Sequence, residues 1–213
     1  MGIVVSLEAR RQGRPDRSVS HASRARTAFY FDLADPGTYL AAERVDRLFP
    51  GMDWVPASLE ALRAARGAAA GMGDERAHER AASLRMPLVW PERHPDPRPA
   101  AMRAAAFAAE KGRGSAFVLA ASRLAFCGGF DLDDPEVLAE AAAAAGIGLR
   151  ECLQAARDVM RDSEAERQAH GLLAAGATCL PVVRVGRLVF AGEDAIPAAS
   201  AAWRHGAPLV SEA

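Results

Sequence analysis

The sequence predicts an α/β fold, a mixed sheet in the order β-α-β … α-β-β-α with a large all-helical insertion. Three observations predict it. An apolar, β-branched and aromatic run, Thr27 to Leu33, opens the ordered part, and a second short extended run follows at Asp53 to Pro56. A third extended region, Pro181 to Phe190, comes only near the other end. Between Ser58 and Gly176 the chain reads as tandem short helices divided by glycine and proline, with no fixed repeat period. One sheet completed late in sequence, with helices inserted, accommodates all three.

Thr27 to Leu33 has the composition of a central strand. Asp35-Pro36 is a helix start: a carboxylate suits the N-cap, and proline suits the first helical position, where its missing N–H is not needed. Tyr39, Leu40, Val45 and Leu48 give that helix an apolar face, and Phe49-Pro50-Gly51 stops it. Asp53 to Pro56 reads as an edge strand because of Pro56. Ser58 begins the next helix, interrupted from Gly67 to Gly73, and Asp74 to Leu84 follows with Ala77, Ala81 and Leu84 on one face. The prolines from Pro87 to Pro95 keep Met86 onward extended.

Helices are predicted over Pro99 to Lys111, Ser115 to Phe126 and Pro135 to Ala145, the last capped by Asp134. Two more run from Leu149 to about Met160 and from Ser163 to Ala175. Pro181 to Val185 and Leu188 to Phe190 form a hairpin around Gly186-Arg187, and Asp194 to Trp203 is the final helix. The expected division is a basic tail without fixed structure at 1–26, a sheet-bearing domain at 27–57 and 172–205, and a helical domain at 58–171.

The chain has 213 residues and is half hydrophobic, enough for a substantial core. A net charge of -1 gives no general attraction to nucleic acid or anionic membrane, and no apolar run approaches a membrane span. Cys127, Cys152 and Cys179 are widely spaced, with no CxxC, which argues against a disulfide framework and for a reducing, cytoplasmic setting. No histidine stands at metal-ligand spacing from cysteines or acids, so no metal is expected. The arginines of the first 26 residues read as a disordered leader or as a segment for an acidic partner.

A strand that feeds a helix N-terminus presents free N–H groups to the turn between them, so Ala34 to Thr38 is the first candidate site. Three stretches extend this. FYFDLADPGTYLA (Phe29 to Ala41), PLVWPERHP with AAMRAAAFAAEKGRG, and GATCLPVVRVGRLVFAGEDAI (Gly176 to Ile196) occur in that order. Together they resemble the DsbA-like branch of the thioredoxin fold, in particular the group of 2-hydroxychromene-2-carboxylate isomerases and kappa-class glutathione transferases. The resemblance implies a thioredoxin-like domain interrupted by helices, a cis-Pro181 facing the turn at Asp35, and glutathione between them. It assigns Pro36, Leu180, Pro181, Glu193 and Asp194 to glutathione, with Leu180 pairing main chain to main chain and Asp194 holding the γ-glutamyl ammonium. The implied partner is a small electrophile, with homodimer formation left open.

The chain departs from that pattern at the turn. The redox branch has Cys-x-x-Cys where Asp35 and Thr38 stand here, so thiol–disulfide exchange has no sulfur there. The isomerase branch has serine at the position of Asp35. A carboxylate beside a thiolate raises the thiol pKa, whereas a protonated Asp35 would donate a hydrogen bond. Asp35 is thus either catalytic or an N-cap, Thr38 supplies a hydroxyl or packs, and Asp194 binds an ammonium or caps a helix. Cys179 is a reactive thiol or a small core residue. Two further readings follow, a binding protein without catalysis and a redox enzyme using Cys179.

Overall fold

The computed structural model describes residues 26–205. The basic segment expected at 1–26 lies, except for Arg26, outside the described residues. The order of elements is β1 (Thr27–Phe31), α1 (Pro36–Leu48), β2 (Asp53–Pro56), α2 (Leu59–Arg66), α3 (Asp74–Leu84), α4 (Pro99–Glu110), α5 (Gly114–Phe126), α6 (Pro135–Ala145), α7 (Leu149–Ala156), α8 (Asp162–Ala174), β3 (Val182–Val185), β4 (Leu188–Ala191) and α9 (Ile196–Arg204). Short 3₁₀ turns lie at Gly67–Ala70, Val159–Arg161 and Glu193–Ala195.

The four strands form one mixed sheet in the order β2-β1-β3-β4. β1 runs parallel to β2 and antiparallel to β3, with Phe29 opposite both Trp54 and Val183. β3 and β4 are the predicted hairpin. Strand alternation sends Phe29, Phe31, Trp54, Val183 and Val185 to one face and Tyr30 and Val182 to the other. On the first face they pack with α1, α9 and the inserted helices α4 to α7 in one continuous core. The second face is covered by α2 and α8 through Leu59, Leu62, Ala169 and Leu172.

The sequence boundaries hold closely, and the departures have local causes. β1 ends at Phe31, two residues early, because Asp32 turns the chain: its carbonyl accepts the Asp35 N–H at 3.1 Å, and its own N–H donates to Thr38 Oγ1 at 3.3 Å. α7 stops at Ala156, and Asp158 then accepts the Met160 N–H at 3.2 Å to start a 3₁₀ turn. Asp194 falls in the 3₁₀ turn before α9, which begins at Ile196. Leu48, expected inside, is 39% exposed at the end of α1. The extended segment after α3 is held to α1 and α5 by Tyr39 Oη donating to Pro87 O at 2.8 Å and by the Val89 N–H donating to Phe126 O at 2.8 Å. Among the described residues no helix is long and apolar enough to cross a membrane.

Candidate functional site

The turn between β1 and α1 is built from its two aspartates. Asp32 Oδ1 accepts the Ala34 N–H and Oδ2 accepts the Leu59 N–H, both at 2.8 Å. One carboxylate therefore shapes the turn and ties it to the start of α2. Thr38 is fully buried, its N–H donates to Asp35 O at 3.0 Å, and its hydroxyl accepts from Asp32 as above. Pro36 is buried at the first position of α1.

Asp35 occupies the N-cap position but makes no well-formed side-chain hydrogen bond to its own helix. That reading is corrected by where the carboxylate points. Oδ1 accepts the Met72 N–H at 2.9 Å, 37 residues away, and Oδ2 has no hydrogen-bond partner although the residue is 0% exposed. A Cβ added at Gly37 would stand 2.8 Å from Asp35 Oδ2 and 3.0 Å from Pro181 Cδ, so both crowd one glycine that has room only for hydrogen. The Leu180–Pro181 peptide bond is cis.

Burial pushes the Asp35 carboxyl up to about 7, assisted by the charge of Asp32 and opposed by the N–H groups of Met72 and Gly37 and by Arg63. Asp32 is also raised by burial, against the hydrogen bonds from Leu59 and Ala34. Burial raises the Cys179 thiol; the Thr178 hydroxyl opposes this, and the carboxylates of Asp35 and Asp194 add to it.

The structure places the residues assigned to glutathione in three different situations. The Leu180 N–H, expected to pair with the ligand, donates to Ala70 O at 2.9 Å. Glu193 is 1% exposed and clamped by two arginines, Arg44 from α1 and Arg80 from α3. Arg80 Nε donates to Oε2 at 2.7 Å and Nη2 to Oε1 at 3.0 Å, so both carboxylate oxygens are already engaged. Asp194 caps no helix; it is exposed and pairs with Arg76 at 3.0 Å. Arg76 and Asp194 border a groove of about 210 Å³ that also reaches Met72, Cys179, Leu180 and Gly192. A second cavity, of about 230 Å³, borders the turn at Asp32 and Ala34 and is lined across from them by Arg63, Arg98 and Met102.

Sequence reasoning missed two participants. Asp32 was absorbed into the strand, although an aspartate closing an apolar run and followed by a turn is an Asx-turn signal. The stretch Ala70-Gly71-Met72 read only as a helix break, yet it contacts both Asp35 and Leu180.

No family model matches this sequence, and no curated protein matches it. Solved structures do. A 2-hydroxychromene-2-carboxylate isomerase aligns over 84% of this chain and 94% of its own, at 16% identity and a TM-score of 0.70. A probable DsbA oxidoreductase from Streptomyces coelicolor aligns over 88% of this chain and 93% of its own, at 23% identity and a TM-score of 0.58. The fold is the α/β thioredoxin-like fold with a helical insertion. At these identities the likeness speaks to the fold, and the chemistry rests on the residues of this chain.

Proposed function

We propose that this thioredoxin-fold protein is a glutathione-dependent isomerase or transferase for a small electrophile, with Asp35 as a neutral hydrogen-bond donor. One observation carries the reading: the buried, unpartnered Oδ2 of Asp35, set against Gly37 beside cis-Pro181. With its pKa pushed up to about 7, the carboxyl keeps its proton on the acid side of neutrality. In the ligand-free chain the Met72 N–H engages Oδ1, so before a ligand enters the proton belongs on Oδ2. An O–H there donates to a thiolate, where a carboxylate would repel it. Glutathione, when bound, supplies a thiolate that adds reversibly to a conjugated double bond. Asp35 and Thr38 offer no sulfur for disulfide exchange, and burial keeps Cys179 in its thiol form, which argues against redox chemistry.

Titration calorimetry with reduced glutathione tests this. Binding is expected at pH 6 and weaker binding at pH 8, with the pH difference absent in Asp35→Asn. Absence of heat and of any thermal shift at both pH values would overturn the glutathione reading. A second reading, a binding protein without catalysis, is favoured by one observation: the Leu180 N–H is already paired with Ala70 O. Under that reading Asp35→Ser creates no thiolate absorbance with glutathione present.

A further inference from the structure

The segment between α2 and α3 enters the cleft as a peptide ligand would. Ala70 O accepts the Leu180 N–H at 2.9 Å, using the main-chain donor that precedes the cis-proline. Two residues on, the Met72 N–H donates to Asp35 Oδ1 at 2.9 Å. Gly71 lies between these anchors, where an added Cβ would stand 3.1 Å from Leu59 Cδ1 and 3.3 Å from Asp35 Oδ1. Ala70 and Met72 are buried, and Asp35 beneath them has no exposed surface.

The flanks are of another kind. Gly67, at φ +70°, and Gly73 are both exposed, and a Cβ at either would meet nothing within 4 Å. A short buried length thus hangs between two unencumbered glycines, the residues best able to absorb a backbone rotation. Beyond Met72 the cleft continues into the groove bordered by Arg76, Cys179 and Asp194.

We propose that Ala70–Gly71–Met72 is an internal strap that occupies the main-chain pairing site beside cis-Pro181 and must swing out, about Gly67 and Gly73, before an external ligand with a peptide backbone can reach Leu180 and Asp35. The competition with glutathione rests on the functional reading above; the swing itself does not. A strap open about one per cent of the time lowers the apparent affinity of such a ligand about a hundredfold, because only the open form binds. Weakening the strap therefore tightens binding without any new contact to the ligand.

Site-resolved amide hydrogen exchange on the full chain tests the swing. The Leu180 and Met72 amides should exchange together and about tenfold or more faster than the sheet amides of Phe29 and Val183, because local opening frees them without unfolding the sheet. Gly71→Leu, which places a side chain against Leu59 and Asp35, should speed both amides further while leaving the sheet amides unchanged; Gly71→Ala is the milder variant should the leucine form fail to fold. Leu180 and Met72 amides as protected as Phe29 in the wild type would overturn the strap. Reduced glutathione, titrated into wild type and variant, separates the two ideas. Tighter binding by the variant supports both. Fast local exchange with no binding by either protein keeps the swing and removes glutathione as the competitor. Equal affinity for the two proteins overturns the competition.

Discussion

Asp35 and Glu193 are both buried carboxylates, at 0% and 1% exposure, and they have opposite surroundings. Glu193 meets two arginines that satisfy both its oxygens and join α1, α3 and the turn before α9. Asp35 accepts one well-formed hydrogen bond, from the Met72 N–H, lies near the Gly37 N–H and a second aspartate, and keeps one oxygen without a hydrogen-bond partner. Burial by itself therefore does not mark a site. A buried charge that is fully paired holds elements in place, and a buried acid left half satisfied is the one with chemistry to offer.

The largest expected effect lies at Asp35 and is a dependence on pH. Its folded-state pKa of about 7 stands above the ordinary 3.8, so the folded chain holds a proton that the unfolded chain has lost between those values. The stabilisation is fully present below about pH 4, declines as pH rises towards 7, and is gone above that, a swing on the order of 4 kcal/mol at about 1.4 kcal/mol per pKa unit. Asp35→Asn removes the swing. Urea midpoints measured from pH 4 to pH 8 should converge or cross between wild type and variant; parallel curves would show that Asp35 is already ionised across the range.

Glu193→Gln comes second. Two arginines lose their counter-charge, and breaking such a pair costs about 3 kcal/mol, the lower end for buried pairs because Arg44 and Arg80 keep contact with water. Thermal unfolding reads it, and a change below about 0.5 kcal/mol, within the scatter of surface substitutions, would show the clamp to be dispensable. Asp32→Asn falls next. An amide carries one carbonyl oxygen, so either the Ala34 or the Leu59 N–H loses its acceptor, at about 1–2 kcal/mol. A shift in the urea midpoint with an unchanged m-value is expected; a changed m-value would mean that the turn reorganises.

Most of the fold was legible because it is written locally. Asp134 before Pro135 capped α6 as expected, with Oδ1 accepting the Glu136 N–H at 2.8 Å, and the hairpin at Gly186 formed where turn residues divide two apolar runs. Asp35 before Pro36 carries the same two-residue signal and does something else. The difference comes from Met72, which supplies a competing N–H from a distant part of the chain, and nothing in the spacing near Asp35 announces it. Glu193 shows the same limit. Its arginines come from helices 113 and 149 residues away in sequence, and only the packing of α1 against α3 brings them together. The strap was hardest to see, because glycine and alanine carry no side-chain signal and its contacts are made by the backbone.

Arg76 and Asp194 give the smallest effect on stability and the most informative contrast with Glu193. Their ion pair at 3.0 Å resembles the clamp on paper, yet both side chains are more than 60% exposed. Solvent screens such a pair to about 0.5 kcal/mol or less, so Arg76→Ala should leave thermal unfolding nearly unchanged. The pair also borders the groove that continues from the strap. If an ammonium group is held there by Asp194, removing Arg76 takes away a competing cation and glutathione binds more tightly at low salt, with the gain shrinking as salt is added. Loss of binding in Arg76→Ala would instead mean that the groove recognises an anion through Arg76, and Asp194 would then be the competitor. Either way the stability stays flat while the affinity moves, whereas Glu193→Gln should move the stability.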